Sequence, residues 1–265
     1  MIKILTAFKI IDDFDDVLPS DWEDLGSNPP DTSYCKRILN CFDEAALENA
    51  LLLRDELIAA GQEVQHTALT VCPGYSEHIL KNLPAIKFDR VCVIETDADL
   101  RFDPMATASI IADFVKNDGG FDLILAGKQA PPGNSGIVPF GVANLLGMDI
   151  ITDVVELTFG HMQGTIRVTH ALDEGICVQD AVLPLVLTMG NTTRSYLRMP
   201  TLREKLATKS YSPEQLQSSP TRSSGWELNS LIRERDERQC ELFAGASPTE
   251  MAAKIFERHI KGVLG

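Results

Sequence analysis

Short apolar runs alternate with helical patterns over the first 147 residues, and this alternation constrains the fold more than any other feature. Strands that alternate with helices form a mostly parallel sheet with helices on both faces. The clearest helical pattern opens at Asp43, where a capping residue belongs, and ends before Gly61. The predicted strands are residues 2–8, 64–72, 90–95 and 121–126, and the predicted helices are residues 43–60, 76–83, 105–116 and 138–146.

After residue 150 the pattern changes, because three short strand patterns follow one another without helices between them. Such a series is typical of an antiparallel section, predicted at residues 151–159, 164–170 and 175–179. The apolar residues 181–189 are expected to return to the sheet, and residues 201–208 to form a short helix. The fold class is therefore α/β, with a mostly parallel sheet that carries an antiparallel section.

The last quarter of the chain has a different composition. Residues 210–225 are rich in Ser, Pro and Thr and predict a linker, whereas residues 228–237 and 249–264 have the pattern of amphipathic helices. A tail of this size is too small to hold a core of its own. We therefore expect one domain over residues 1–209, with residues 210–265 as a linker and helical tail that packs on the domain or on a partner subunit.

Composition excludes several classes of function. The net charge of −14 argues against nucleic acid as a partner, because phosphate neutralisation needs surplus Lys and Arg. None of the six cysteines stands in a C-x-x-C pair and no histidine cluster has metal-ligand spacing, so no metal site is predicted. The start does not have the pattern of a signal peptide, and no apolar run approaches the length of a membrane span. We therefore expect a cytoplasmic protein with reduced thiols.

Residues 127–138, GKQAPPGNSGIV, lie between a predicted buried strand and a predicted helix. In open α/β sheets, ligands bind at the carboxyl ends of the strands, and the free N–H groups of a helix start attract phosphate. Small residues let a ligand approach the backbone, and Asn134 and Ser135 could cap the helix and also contact a phosphate. A plain capped turn explains this segment equally well, because glycine-rich turns between strands and helices are common.

Three other segments have simpler explanations when each is taken alone. Residues 40–43 fit a helix cap with a hydrophobic staple, residues 197–202 fit a loop, and the acidic residues 95–99 fit a solvated loop. The chain has no G-x-S-x-G elbow, no P-loop and no G-x-G-x-x-G, and its five histidines are scattered. No catalytic residues are therefore predicted.

Taken together, these segments resemble the beta subunit of electron-transfer flavoproteins, including the nitrogen-fixation-associated branch. Residues 40–54, NCFDEAALENALLLR, are similar to the family pattern NPFDxxALExALxLK, and residues 127–147 are similar to GKQAxDGDTxQVGPxxAxxLG. Residues 183–189, LPLVLTM, match LPxVxTV, and residues 198–202, RMPTL, match RYPSL. The four motifs keep the family's order and spacing over residues 1–210.

The resemblance implies a Rossmann-like fold and an electron carrier rather than an enzyme. Such a subunit shuttles electrons between a flavin dehydrogenase, such as an acyl-CoA dehydrogenase, and a downstream acceptor through FAD held mainly by the alpha subunit. AMP or a second FAD is expected in this subunit, and Phe42 would lie toward the flavin. The implied cofactor-binding residues are Ala7, Phe8, Asn40, Cys41, Phe42, Val71, Cys72, Gly127, Gly133, Asn134, Ser135, Gly136, Ile137 and Val138. The implied docking residues for the dehydrogenase are Arg198, Met199, Pro200, Thr201 and Leu202, with Leu202 as the anchor.

This sequence departs from the family pattern within the nucleotide loop. Pro132 and Asn134 replace two aspartates, and Ile137 replaces a glutamine. These changes leave open whether AMP or FAD is bound and whether electrons are bifurcated. A stand-alone adenine-nucleotide-binding regulator of the universal-stress type is the alternative function. An ATP-pyrophosphatase ranks last, because residues 8–13, FKIIDD, are unlike its S-G-G-x-D-S loop.

Overall fold

The computed structural model describes residues 1–23, 29–72, 77–160, 162, 164–226, 229–231, 240–245 and 247–263. The chain divides into two compact units, Met1–Ser230 and Leu231–Gly265. In the second unit, Ser247 caps a helix at Pro248–Ile255 that continues as a π-helical turn at Phe256–Ile260. Within the part of the chain that the structure describes, no helix is long and apolar enough to cross a membrane.

The first unit is built on one large sheet. Its strands and the strands of a small separate hairpin are β1 (Ile2–Ala7), β2 (Ile10–Asp12), β3 (Arg37–Leu39), β4 (Val64–Val71), β5 (Arg90–Glu95), β6 (Leu123–Gly127), β7 (Asp149–Phe159), β8 (Thr165–Leu172), β9 (Gly175–Val182), β10 (Leu185–Met189) and β11 (Glu214–Gln217). Its helices are α1 (Cys41–Ala59), α2 (Glu77–Ala85), α3 (Pro104–Asn117), α4 (Ile137–Leu146) and α5 (Leu202–Ala207).

The nine strands of the large sheet run in the order β11-β5-β4-β1-β6-β10-β7-β8-β9. All neighbours are parallel except the β7–β8 and β8–β9 pairs, which are antiparallel. The predicted α/β fold with an antiparallel section is therefore confirmed. β2 and β3 form a separate antiparallel hairpin beside β1.

Alternate residues along the central strands point to opposite faces of the sheet, and each face buries a helical layer. Leu5 and Ile124 pack in a cluster with apolar residues of α3 and α4. Ile4 and Leu123 pack with α1 on the other face, where Leu47 is also fully buried. Burial of one leucine side chain contributes about 1.5–3 kcal/mol, so these two layers stabilise the strands whose ends carry the loops described below.

β1 lies at the point where the chain changes direction across the sheet. From β1 the chain passes to β4 and β5 on one side, and it then returns through α3 to β6 on the other side. The loops that leave β1 and β6 therefore diverge to opposite faces and leave a crevice at the carboxyl ends of these strands. Such a crevice is the usual ligand site of an open α/β sheet.

The structure differs from the sequence prediction at several elements. Residues 214–217, within the predicted linker, form the edge strand β11, because Arg90 of β5 donates two hydrogen bonds of 2.9 Å to the Glu214 carboxylate. Two short 3-10 helices, Phe14–Asp16 and Pro19–Trp22, lie between β2 and β3, where the sequence pattern predicts no element. The predicted strand 181–189 is divided between β9 and β10. The predicted helix 228–237 falls mostly outside the described residues.

Candidate functional site

A buried carboxylate joins the elements that line the crevice. Asp43 accepts hydrogen bonds from the backbone N–H of Gly127 (2.7 Å), the backbone N–H of Lys9 (3.0 Å) and the side-chain amide of Asn40 (2.9 Å). Burial, only partly offset by these donors, raises the pKa of Asp43 to about 6. The structure therefore corrects the interpretation of Asp43 as a helix cap: Asn40 is the N-cap, and Asp43 stands two residues into α1 and bonds to other segments.

Two further contacts hold the loop that follows β6. The Asn40 amide donates to the carbonyl of Gln129 (2.9 Å), and the Lys9 ammonium donates to the carbonyl of Pro131 (2.7 Å). Burial lowers the pKa of Lys9, and the nearby Asp43 carboxylate opposes that effect. A Cβ added to Gly127 would stand 2.5 Å from Asp43 Oδ1, so the close approach of α1 to β6 requires glycine there.

The start of α4 has the backbone form of an anion site. Gly133, Asn134 and Gly136 have φ values of +89°, +45° and +66°, and Gly136 is the N-cap. The N-cap Gly136 has no side chain to cap the helix, but the N–H of Ile137, the first helical residue, donates to Ser135 Oγ (3.4 Å). The prediction that Asn134 and Ser135 cap the helix is therefore corrected in part: Gly136 is the N-cap, and Ser135 accepts one N–H of the first turn. The N–H groups in the first turn of an α-helix lack partners within the helix, and such groups attract anions.

Phe42, Lys128 and Asp153 form a cluster at the mouth of the crevice. The Lys128 ammonium lies 5.2 Å from the centroid of the Phe42 ring and 3.0 Å from a carboxylate oxygen of Asp153. Asp153 has a φ of +51° at a bulge between β7 and β10, where its N–H donates to Thr188 Oγ1. Backbone strain of this kind persists only where the surroundings fix the residue, and here it aims the carboxylate at Lys128.

The other predicted cofactor-binding residues lie at the same edge of the sheet. Ala7 and Val71 end β1 and β4, and Cys41 is exposed at the start of α1. The side chains of Phe8 and Cys72 are buried in the core, so these two residues can offer a ligand only their backbone. The predicted cofactor-binding set thus converges on one edge, although the sequence did not indicate Asp43, Lys9 or Lys128 as members of the site.

The predicted docking loop is fastened to α1. Arg198 binds the Glu48 carboxylate through Nε and Nη2 at 3.0–3.1 Å and binds Asp55 through Nη1 at 2.8 Å. Its backbone N–H also donates to Glu48 (2.9 Å), and Pro200 is buried. These contacts give Arg198 and Pro200 the role of holding the loop in place.

The outer side of the same loop is apolar and exposed. Met199 and Leu202 are 74% and 73% exposed, and Tyr196 and Leu206 are also exposed. Thr201 forms a capping box with Glu204 and so fixes the start of α5. The loop therefore presents Met199 and Leu202 outward on a backbone fixed from both sides.

The acidic segment 95–99 has no metal-binding geometry. Asp99 pairs with Arg101 at 2.6 Å, and Glu95 accepts from the Gln217 amide of β11 (2.8 Å). Across the residues that the structure describes, no group of three His, Cys, Asp or Glu side chains could hold a metal ion.

An open α/β sheet with a phosphate-type loop at its change of direction defines a protein of the Rossmann-like class. A family model for the electron transfer flavoprotein domain matches residues 32–213, and the chain belongs to this family, among the beta subunits. The Mycobacterium tuberculosis electron transfer flavoprotein subunit beta is 25% identical over 196 residues, which cover 72% of this chain and 73% of the relative.

Two other relatives extend this comparison. YgcR of Escherichia coli, whose name places it among electron transfer flavoprotein subunits, is 27% identical over 263 residues and 98% of both chains, so the match includes the tail. The caffeyl-CoA reductase-Etf complex subunit CarD of Acetobacterium woodii is 30% identical over 151 residues, which cover 57% of this chain and 55% of the relative.

Proposed function

We propose that this chain is the beta subunit of a heterodimeric electron-transfer flavoprotein that carries electrons between a flavin dehydrogenase and a downstream acceptor. The electrons pass through FAD held mainly by the alpha subunit, and this subunit performs no bond-making chemistry of its own. One observation carries the proposal: the crevice between β1 and β6 ends in a loop that is bonded to Asn40 and Lys9 and leads to the start of α4, where the N-cap is a glycine.

The crevice is proposed to bind the phosphate of AMP or of a second FAD. The glycine-rich backbone of 133–136 leaves room for a phosphate, and the N–H groups at the start of α4 supply donors without a charged side chain. The substitution of two family aspartates by Pro132 and Asn134 removes negative charge from this loop, which favours an anion. Phe42 and Lys128, which lie against each other at the mouth, are proposed to face the flavin of the partner subunit.

The alpha subunit is proposed to cover the outer edge of the antiparallel section. Ile176, Val178 and Val182 alternate along β9, and all three are exposed, at 71%, 59% and 69%. An edge strand with a row of exposed apolar side chains is a site for pairing with another chain. The described contacts of β9 in this sheet are to β8, so its second edge is available to such a partner.

The dehydrogenase is proposed to dock on the exposed side of residues 198–202. Met199 and Leu202 provide an apolar anchor, and four cations lie within ten residues of it in the sequence: Arg194, Arg203, Lys205 and Lys209. None of these four forms an ion pair with a described residue, in a protein whose net charge is −14. A dehydrogenase surface with an apolar cleft and an acidic rim would complement this loop.

Co-expression with the alpha subunit of an electron-transfer flavoprotein from the same organism tests the proposal. We expect a yellow one-to-one complex that releases FAD on denaturation, together with an adenine nucleotide from this subunit. A colourless chain that remains apart from the large subunit would refute the proposal. A homodimer that binds adenine nucleotide tightly without the large subunit would instead support the regulatory alternative.

A further inference from the structure

Three segments that are distant in sequence meet at the carboxylate of Asp43. Lys9 follows β1, Asn40 precedes α1, and Gly127 ends β6, which lies 84 residues along the chain from Asp43. Two of these residues also bond to the loop after β6: the Asn40 amide donates to the carbonyl of Gln129, and the Lys9 ammonium donates to the carbonyl of Pro131. The loop 128–136 is thereby attached at its first residues to a network whose centre is Asp43.

The pattern of donors around Asp43 requires an ionised carboxylate. Oδ1 accepts from Gly127, whereas Oδ2 accepts from both the Lys9 N–H and the Asn40 amide. An asparagine could keep the first bond, but its NH₂ group would then face two donors. Among the residues that the structure describes, the charge that acts on this carboxylate is the Lys9 ammonium, which favours its ionised form.

This carboxylate is costly for the fold, because burial of a charge disfavours its ionised form. Burial raises the pKa of Asp43 to about 6, so the folded state holds it as a carboxylate at neutral pH only against that effect. A residue that served the core alone would be better apolar at this position. The bonds to Gly127, Lys9 and Asn40 therefore point to a requirement for a particular shape of the crevice.

We propose that Asp43 is a positioning residue that sets the conformation of the 128–136 loop and thereby the affinity of the crevice for a nucleotide phosphate. This inference rests on the proposed function, since that function assigns a nucleotide to the crevice. Asp43 does not contact the ligand in this proposal; it acts through Gly127, Asn40 and Lys9. The loop carries residues with positive φ, Asn134 (+45°) and Gly136 (+66°), and its first residues are held by the bonds to Asn40 and Lys9.

The test compares AMP titrations of the heterodimer carrying Asp43→Asn with those of the wild type and of a matched control. Asp122→Asn is the control, because Asp122 also accepts a backbone N–H of β1, from Lys3 (2.8 Å), at the opposite end of the sheet. At pH 7.5 we expect Asp43→Asn to weaken AMP binding on the order of tenfold, since bonds to a charged group are lost. Asp122→Asn is expected to bind AMP as the wild type does.

A pH series separates positioning from a general loss of stability. The affinity ratio between wild type and Asp43→Asn should narrow as the pH falls from 7.5 to 5, because wild-type Asp43 then gains a proton. The ratio is used because the AMP phosphate itself titrates near pH 6. A ratio that stays constant over this range, or an equal loss in Asp122→Asn, would overturn the proposal.

Hydrogen exchange provides a second readout that needs no ligand. Amides of residues 127–136 should exchange faster in Asp43→Asn, with little change in the central strands. Asn40→Ala, which removes the amide bonds but keeps the carboxylate, should act in the same direction if Asp43→Asn does not fold. If wild type binds no nucleotide, the proposed nucleotide site fails, and unchanged exchange of 127–136 would then separately refute the role of Asp43.

Discussion

Replacement of Arg198 by methionine should detach the docking loop from α1 and lower the stability of the subunit. The change removes the guanidinium that bonds to Glu48 and Asp55 and leaves the backbone bond from residue 198 to Glu48 in place. The Glu48 carboxylate is 9% exposed, so the variant leaves a mostly buried charge with fewer donors. Methionine keeps much of the aliphatic packing, which isolates the effect of charge.

The exposure of the partners determines how much free energy of unfolding Arg198→Met should lose. Removal of one partner of a fully buried ion pair costs about 3–5 kcal/mol. Arg198 is 30% exposed and Asp55 is 40% exposed, so solvent screens part of the interaction and we expect about 2 kcal/mol. For a chain of this length, that corresponds to a melting temperature about 4–8 °C lower.

Urea unfolding measures the energetic coupling between Arg198 and Glu48 directly. It is carried out on the wild type, Arg198→Met, Glu48→Gln and the double variant. The double variant should be more stable than the sum of the single losses predicts, by about 1 kcal/mol or more, because Glu48→Gln removes the charge left behind. Electron transfer from the dehydrogenase should require higher concentrations of the Arg198→Met variant. Additive losses, or no loss in Arg198→Met, would show that Arg198 does not hold the loop.

Three other predictions follow from the crevice and the docking loop. Gly127→Ala should cost about 2–4 kcal/mol, seen in the melting temperature, because the new methyl would overlap the Asp43 carboxylate, which cannot move away. The pKa of Asp43 rises from 3.8 to about 6 on folding, so its contribution to stability grows as the pH falls through 6. Buried His66, whose pKa is lowered to about 3, destabilises both the wild type and Asp43→Asn as the pH falls below 6.5. Only the wild type has the opposing contribution of Asp43. Between pH 7 and 4.5, the free energy of unfolding measured with urea should therefore fall by about 2 kcal/mol more in Asp43→Asn than in wild type. Leu202→Ala should raise the KM for the dehydrogenase about tenfold in steady-state assays, and added salt should weaken docking of the wild type as well.

Matched variants give these predictions their controls. Gly119→Ala places alanine at a positive φ (+80°), which Gly127 does not have, but meets no atom within 4 Å, so it should cost only about 1 kcal/mol. Leu172→Ala removes a similarly exposed leucine from β8 and should leave the KM for the dehydrogenase unchanged. Equal effects in a variant and its control would contradict the specific contact on which the prediction depends.

The central strands and helices could be predicted from the sequence because their buried apolar residues recur at the spacing typical of a strand or a helix. Leu5, Ile124 and their neighbours form apolar runs whose length and spacing identify strands covered on both faces. β11 could not be predicted in this way. Its residues, EQLQ, are exposed and polar, and its pairing with β5 depends on the contact between Glu214 and Arg90, 124 residues away.

The candidate site shows the same limit. Asp43 near the start of a helix has the local signal of a cap, and only the position of Gly127 reveals that the carboxylate joins two loops. Arg198 likewise has the signal of an exposed loop residue until α1 brings Glu48 to it across 150 positions. The order of the four motifs in the sequence indicated which segments form the candidate site. The hydrogen bonds between these segments are visible only in the folded structure.

Helix α1 supports both functional loops. Asp43 holds the loop after β6, and Glu48, five residues farther along the same helix, holds the loop at Arg198. These two attachment points are about 7.5 Å apart along the helix axis. A displacement of α1 would move both loops together, so the crevice and the exposed apolar side of residues 198–202 keep a fixed spacing.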